Sequence, residues 1–161
     1  MPEPGKPPSE SASEMVETVL PSDSNSLGSA FGGKIMQWID LSGALAAQRH
    51  CRRPVVTASM DELHFHAPVK IGHWAVLQSR VLAAFTTSVE VGVTVFTEDP
   101  LTGDRRLCTS ASLTFVALDA YGKPTPVPPV LPQTEEEQQA FVDATQRRAN
   151  RLARKRGAAG R

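Results

Sequence analysis

The sequence predicts an α+β fold: a long central helix wrapped by a curved antiparallel β-sheet, followed by a polar C-terminal helix. Three observations predict it. Between residues 32 and 50, Ile35, Trp38, Ile39, Leu41, Leu45 and Ala46 recur at spacings of three and four, the period of a helix. Polar positions there are few, and a helix apolar over most of its circumference must be buried on most sides. Four strand-like runs follow, at 55–65, 73–84, 88–98 and 105–118; in the third, Val89, Val91, Val93 and Val95 alternate with Glu90, Gly92, Thr94 and Phe96. These runs exceed the ~5–6 residues of an ordinary strand, so the sheet should be long and strongly curved.

The elements follow in order. Residues 1–13 are rich in Pro, Ser and Glu with almost no apolar anchor, and are expected to form a disordered tail. A domain over 14–132 opens with a short strand carrying Met15, Val16, Val19 and Leu20, then a loop over 21–30 before the helix. The turn signal DPLTGD at 99–104 joins the last two runs as an antiparallel hairpin. Residues 122–132 hold five prolines in eleven positions, which suits an extended surface arm and no helix interior or central strand. Residues 133–161 read as the polar helix and a basic tail. Thr134 is a candidate N-cap with Glu137 at the capping-box spacing, and acids open this helix while bases close it, matching the helix dipole.

The chain of 161 residues has 17 basic and 17 acidic side chains and no formal net charge, which argues against a nucleic-acid binder. The zero is a cancellation. Residues 147–161 carry seven basic groups and no acid, so residues 1–146 carry a net −7. The tail has two readings: a solvated complement to an acidic body, or a set of guanidiniums, Arg147, Arg148 and Arg151, that reach a phosphorylated ligand. No apolar run approaches the ~20 residues that span a bilayer, and the N-terminus lacks a signal-peptide core, so a cytoplasmic protein with no membrane partner is expected. Cys51 and Cys108 fit a reducing compartment and form no metal-binding pair.

Asp40 stands out. It is the only carboxylate between Asp23 and Asp61, and it sits inside the most apolar helix between Ile39 and Leu41. A lone carboxylate there either faces a polar cleft, has a raised pKa, or hydrogen-bonds a neighbour such as Ser42. Gly32 and Gly33 fall where the free N–H groups of the helix start point outward, able to stabilise an oxyanion and open to a close-approaching carbonyl. Gly33 and Asp40 are seven residues apart, about 10 Å at ~1.5 Å per residue. Groups acting on one carbonyl must converge within ~3 Å of it. The glycine of one subunit and the acid of another, on antiparallel helices, would satisfy this, and a site across a dimer interface is expected.

The segments LPSDSNSLGSAFGGKIMQWIDLSGALAAQRH, VVTASMDELHFHAPVKIGHW and FTTSVEVGVTVFTEDPLTG resemble the hotdog-fold acyl-CoA thioesterases, both the bacterial YciA-like enzymes and the mammalian cytosolic acyl-CoA hydrolases. The resemblance covers residues 21–129 and implies a hotdog fold and hydrolysis of acyl-CoA to a free acid and coenzyme A. Coenzyme A enters as part of the substrate, so no separate cofactor and no metal are implied. Asp40 aligns with the family's helix acid, either a general base for water or a nucleophile forming an anhydride. Gly33 aligns with the glycine whose N–H polarises the thioester carbonyl. Many relatives carry a catalytic Asn at the helix entrance; Ser29 stands there in this chain, and Asn25, earlier in the loop, is the other candidate. Thr86, Thr87 and Ser88 align with a turn near the coenzyme A pyrophosphate, where hydroxyls and turn N–H groups can receive phosphate oxygens. Thr57 and Ser59, alternating on one strand face, are candidates for the acyl or pantetheine channel. The family also implies homohexamers built as trimers of dimers.

Other chemistry is weaker. His64 and His66 have the spacing of some metal sites but no evident third ligand. No Gly-x-Ser-x-Gly elbow, Walker A or dinucleotide fingerprint is present. His50 and Cys51 are adjacent on a helix, so they point apart and suit a thiol nucleophile poorly. A non-catalytic acyl-CoA-binding module is the rival reading; it has no need of Asp40.

Overall fold

A computed structural model describes residues 2–61 and 63–160. Glu62, within the run expected as the second strand, and Arg161, at the tip of the basic tail, lie outside the described residues. The elements are β1 (Ser13–Thr18), α1 (Gly32–Cys51), β2 (Val55–Met60), β3 (Trp74–Ala84), β4 (Ser88–Glu98), β5 (Arg105–Ala117) and α2 (Glu135–Ala159). The five strands form one antiparallel sheet in the order β1-β3-β4-β5-β2. This is the wrapped-helix architecture that the strand patterning demands.

Alternation fixes which face meets the helix. Val89, Val91, Val93 and Val95 of β4 are buried, with Leu77 and Val81 of β3 and Leu113 and Phe115 of β5, around Ile35, Ile39, Ala46 and Ala47 of α1. Each fully buried aliphatic side chain contributes ~1.5–3 kcal/mol. Helix and sheet approach closely at Gly43, where an added Cβ would sit 3.0 Å from the Phe115 ring. Ser42 and Ser79 tie them together at that level: Ser42 Oγ donates to Ser79 Oγ, and Ser79 Oγ to the Ser42 carbonyl.

Three register shifts curl the sheet: between Val81 and Ala83, between Val95 and Phe96, and between Thr57 and Ser59. An extra residue on one strand sharpens local twist and bend. The last shift corrects one expectation. Thr57 pairs with Phe115 but Ser59 pairs with Thr114, so the two no longer share a face. Thr57 turns toward the helix and Ser59 away from it. The second run also ends as a strand at Met60, short of residue 65.

Other expectations shift as well. Residues 2–13 are not a disordered tail; Met1, which the expected tail also included, lies outside the described residues. Pro8–Glu10 makes a 3-10 turn, Ser11 is buried, and Ser11 Oγ accepts the Val81 N–H at 2.8 Å, just past the end of the β1–β3 ladder. The segment is held by polar groups rather than apolar ones, so composition did not flag it. The proline arm is extended and pinned: Lys6 N–H donates to the Pro129 carbonyl and Leu131 N–H to that of Lys6. The α1 helix is sheathed only on the sheet side. Met36, Leu41 and Leu45, with Val56 of β2, remain 43–50% exposed.

The polar helix α2 starts as expected. Thr134 Oγ1 accepts the Glu137 N–H at 3.1 Å, while the Glu137 carboxylate accepts from the Gln133 N–H, one residue earlier than a strict capping box. Among the described residues no helix is long and apolar enough to cross a membrane.

Candidate active site

Asp40 lies two turns into α1, half-buried, on the side that meets β2. Thr57 Oγ1 donates to Asp40 Oδ1 at 2.5 Å. The bulge at Ala58 is what points Thr57 at the helix. That single bond leaves Oδ2 with no partner among the described residues. Ser42, the neighbour weighed from sequence, is committed to Ser79 instead.

The helix entrance builds a second set. Asn25 Oδ1 accepts the N–H of Leu27 at 2.9 Å and of Ser29 at 3.3 Å, and the Asn25 N–H donates to the Ser29 carbonyl at 2.8 Å. With its oxygen occupied, the amide is oriented and its NH2 has no partner among the described residues. Asn25, Ser29, Gly32, Ile35, Phe65 and Cys108 line one cleft of about 330 Å³. The N–H groups of Gly32 and Gly33 make no hydrogen bond among the described residues, as expected of the first turn of a helix. Gly33 is exposed, and a Cβ there would meet nothing within 4 Å. Nothing within the chain requires glycine at that position, so any reason for the missing side chain lies outside the chain.

Asp40 and Thr57 are therefore grouped, and Asn25, Ser29 and Gly32 are grouped, but the two sets are not brought together within one chain: neither Asp40 nor Thr57 lines the Asn25 cleft. Two thiols are removed from consideration. Burial pushes Cys51 and Cys108 up to about 11, so both are protonated at neutral pH and neither is a ready nucleophile.

The remaining candidates sit on the β3–β4 turn. Thr86 is exposed and Ser88 buried, and the N–H groups of Thr86 and Thr87 donate to nothing among the described residues. The basic tail meets the sheet beside this turn, and its residues have different fates. Arg147 makes a bidentate pair with Glu90, at 2.6 Å for Nη2 to Oε2. Arg151 bridges Glu90 at 3.0 Å and Asp61 at 3.1 Å. Glu90 is fully buried on the outer sheet face, and its hydrogen bonds to Arg147 raise that guanidinium above its ordinary value. Neither arginine is available to a ligand, which corrects that part of the sequence reading. The start of the tail is docked rather than solvated. Sequence reasoning missed the Thr57–Asp40 pair and the Glu90 anchor; a buried-patterned strand carrying one glutamate was the only signal for the latter.

The chain is similar to known proteins. The thioesterase superfamily model matches residues 27–103. The uncharacterized acyl-CoA thioester hydrolase YkhA of Bacillus subtilis is 47% identical over 89% of this chain and 85% of its own. The rat cytosolic acyl coenzyme A thioester hydrolase is 34% identical over 91% of this chain, which spans only 39% of that longer protein. Among solved structures, an apo-hexameric acyl-CoA thioesterase superposes with a TM-score of 0.90 at 42% identity, covering 94% of this chain and 97% of its own. The acyl-CoA hydrolase of Staphylococcus aureus, solved with butyryl coenzyme A and coenzyme A, gives 0.89 at 37% identity over 98% and 96%. Three variants of that enzyme were solved with alanine replacing an asparagine, an aspartate and a threonine; the asparagine precedes the aspartate by 15 positions and the threonine follows it by 17. Asn25 and Thr57 stand at those same separations from Asp40.

Proposed function

The chain belongs to the thioesterase superfamily as an acyl-CoA thioester hydrolase, and from that premise we propose how it cuts its substrate. Asp40 acts as general base. Thr57 fixes Oδ1, and the unpartnered Oδ2 takes a proton from the attacking water. The N–H groups at the start of α1, Gly33 first among them, receive the oxyanion as water adds to the thioester carbonyl. Collapse of that intermediate breaks the C–S bond, and the proton held by Asp40 passes to the departing thiolate. Asn25, rather than Ser29, supplies the helix-entrance amide that orients water or carbonyl. Its tethered oxygen and free NH2 support this, as do the separations shared with the S. aureus enzyme.

The single observation that carries the reading is the one-sided hydrogen bonding of Asp40, a carboxylate positioned by one hydroxyl and open on its other oxygen. The site is completed by a second copy of the chain, whose α1 runs antiparallel and brings its Gly33 and Asn25 to this Asp40. The exposed Met36, Leu41 and Leu45 of α1 supply an apolar face for that pairing. The hexameric relative supports a trimer of such dimers. The cytosolic relative and two unpaired buried cysteines support a cytoplasmic location.

A single turnover in ¹⁸O-water tests the chemistry. With Asp40 as base, the label appears in the released acid in the first turnover. Label retained in the Asp40 side chain instead would establish the anhydride route and overturn the base.

A further inference from the structure

Helix α1 starts without a side-chain cap, and its first turn holds no acid. A Ser, Asp or Asn at the N-cap would occupy the N–H groups there; Phe31 stands at that position instead. A carboxylate is nevertheless at hand. Asp23 lies at the mouth of the helix, where its main-chain carbonyl accepts the Phe31 N–H at 2.9 Å. Its side chain is only 13% exposed. Left to itself, this acid would act on the Gly32 and Gly33 N–H groups in two ways. It would compete to accept from them, as capping acids do, and its charge would oppose any anion they receive.

The structure ties the acid off. Asp23 Oδ2 accepts the Leu20 N–H at 3.0 Å, and Oδ1 lies 3.4 Å from Lys34 Nζ. Lys34 is the residue after Gly33. Its ammonium also sits over the Trp38 ring, 5.7 Å from the centroid and one turn further along α1. Both carboxylate oxygens are thus drawn aside, and the charge is matched by a cation on the same turn as the open N–H groups. A pair whose cation is a third exposed adds little to stability, so its main effect falls on the potential at the helix start. Resting on the oxyanion role given above to α1, we infer that Lys34 is a positioning residue: it holds Asp23 off the Gly32 and Gly33 N–H groups and cancels its charge, so that the helix start accepts negative charge.

Steady-state kinetics of the full-length protein with one acyl-CoA test this. Lys34→Gln should lower kcat about tenfold and change KM less than twofold, because only the transition state carries the new charge. Lys34→Arg keeps the cation and should stay within about twofold of the wild type. Adding Asp23→Asn to Lys34→Gln removes the acid as well, and should bring kcat back to within about threefold of the wild type. A structural prop would behave otherwise, each substitution adding its own loss. A double variant as slow as Lys34→Gln, or slower, overturns the inference. Amide hydrogen exchange at Gly32 and Gly33 judges the helix start without catalysis. Base-catalysed exchange passes through an amide anion, so Lys34→Gln should slow it severalfold and the added Asp23→Asn should restore it. That pattern with kcat unmoved upholds the hold on Asp23 and places the fault in the oxyanion assignment. Exchange unchanged in Lys34→Gln overturns the inference.

Discussion

Asp40 and Glu90 stand on opposite sides of one sheet and meet opposite conditions. Asp40, on the inner side, is half-buried and held by a single hydroxyl. Glu90, on the outer side, is fully buried and receives four hydrogen bonds from Arg147 and Arg151. Saturation separates the carboxylate that anchors from the one proposed to react. Every acceptor direction used by a fixed guanidinium is one no water can use. Chain folding puts the more expensive burial where it is fully compensated, and leaves Asp40, the base of the proposed mechanism, under-coordinated.

The sharpest way to break the contrast is to neutralise each acid in turn and measure both turnover and stability. Asp40→Asn should lower kcat by about 10²–10⁴ while urea denaturation moves by less than ~1 kcal/mol. Glu90→Gln should do the reverse, costing about 2–4 kcal/mol of unfolding free energy by stranding the Arg147 guanidinium and leaving Arg151 with Asp61 alone, with kcat on the folded protein nearly retained. If both substitutions mainly cost stability, Asp40 is an anchor too and the distinction collapses. Thr57→Val sharpens the same point with a smaller effect. Losing the hydroxyl that orients Asp40 should slow kcat about tenfold, about 1.4 kcal/mol, with little change in melting temperature.

A third buried ionisable group gives the smallest effect. His50 is fully buried at the end of α1, and its Nε2 lies 2.7 Å from the Pro128 carbonyl. A carbonyl only accepts, so Nε2 carries the proton and Nδ1 is left buried without a partner. Burial holds the imidazole below its ordinary 6.5, with nearby Lys6 acting the same way against the Pro128 bond. The neutral ring is the one the fold favours, so His50 contributes stability above pH ~6.5 that is lost as pH falls below it. Melting temperature measured from pH 7.5 to 5 should drop through that window, and His50→Gln should flatten the drop.

The sequence alone carried the helix, the long strands and the isolated acid, because period and isolation are local properties. Val89, Val91, Val93 and Val95 could face only one way, and Asp40 had no carboxylate near it in the chain. The partner of that acid was out of reach. Thr57 turns toward Asp40 because Ala58 is an extra residue against β5, and a one-residue slip depends on the pairing and not on strand propensity. The fate of the tail was equally illegible, since Arg147 and Glu90 meet across 57 positions only once α2 has docked. Residues 2–13 were misjudged because polar caps such as Ser11 hold a chain as firmly as apolar anchors and leave no hydropathy trace.

The parallel bridge between Lys6 and Val130 has a kinetic consequence. Its partners are 124 positions apart, and closing so large a loop is unfavourable until the strands between them have assembled. The Lys6 ammonium also donates to the His50 carbonyl at 2.8 Å, so the same late event fastens the end of α1. The bridge therefore belongs to the last steps of folding, and in native-state hydrogen exchange its amides should open well before those of β3 and β4.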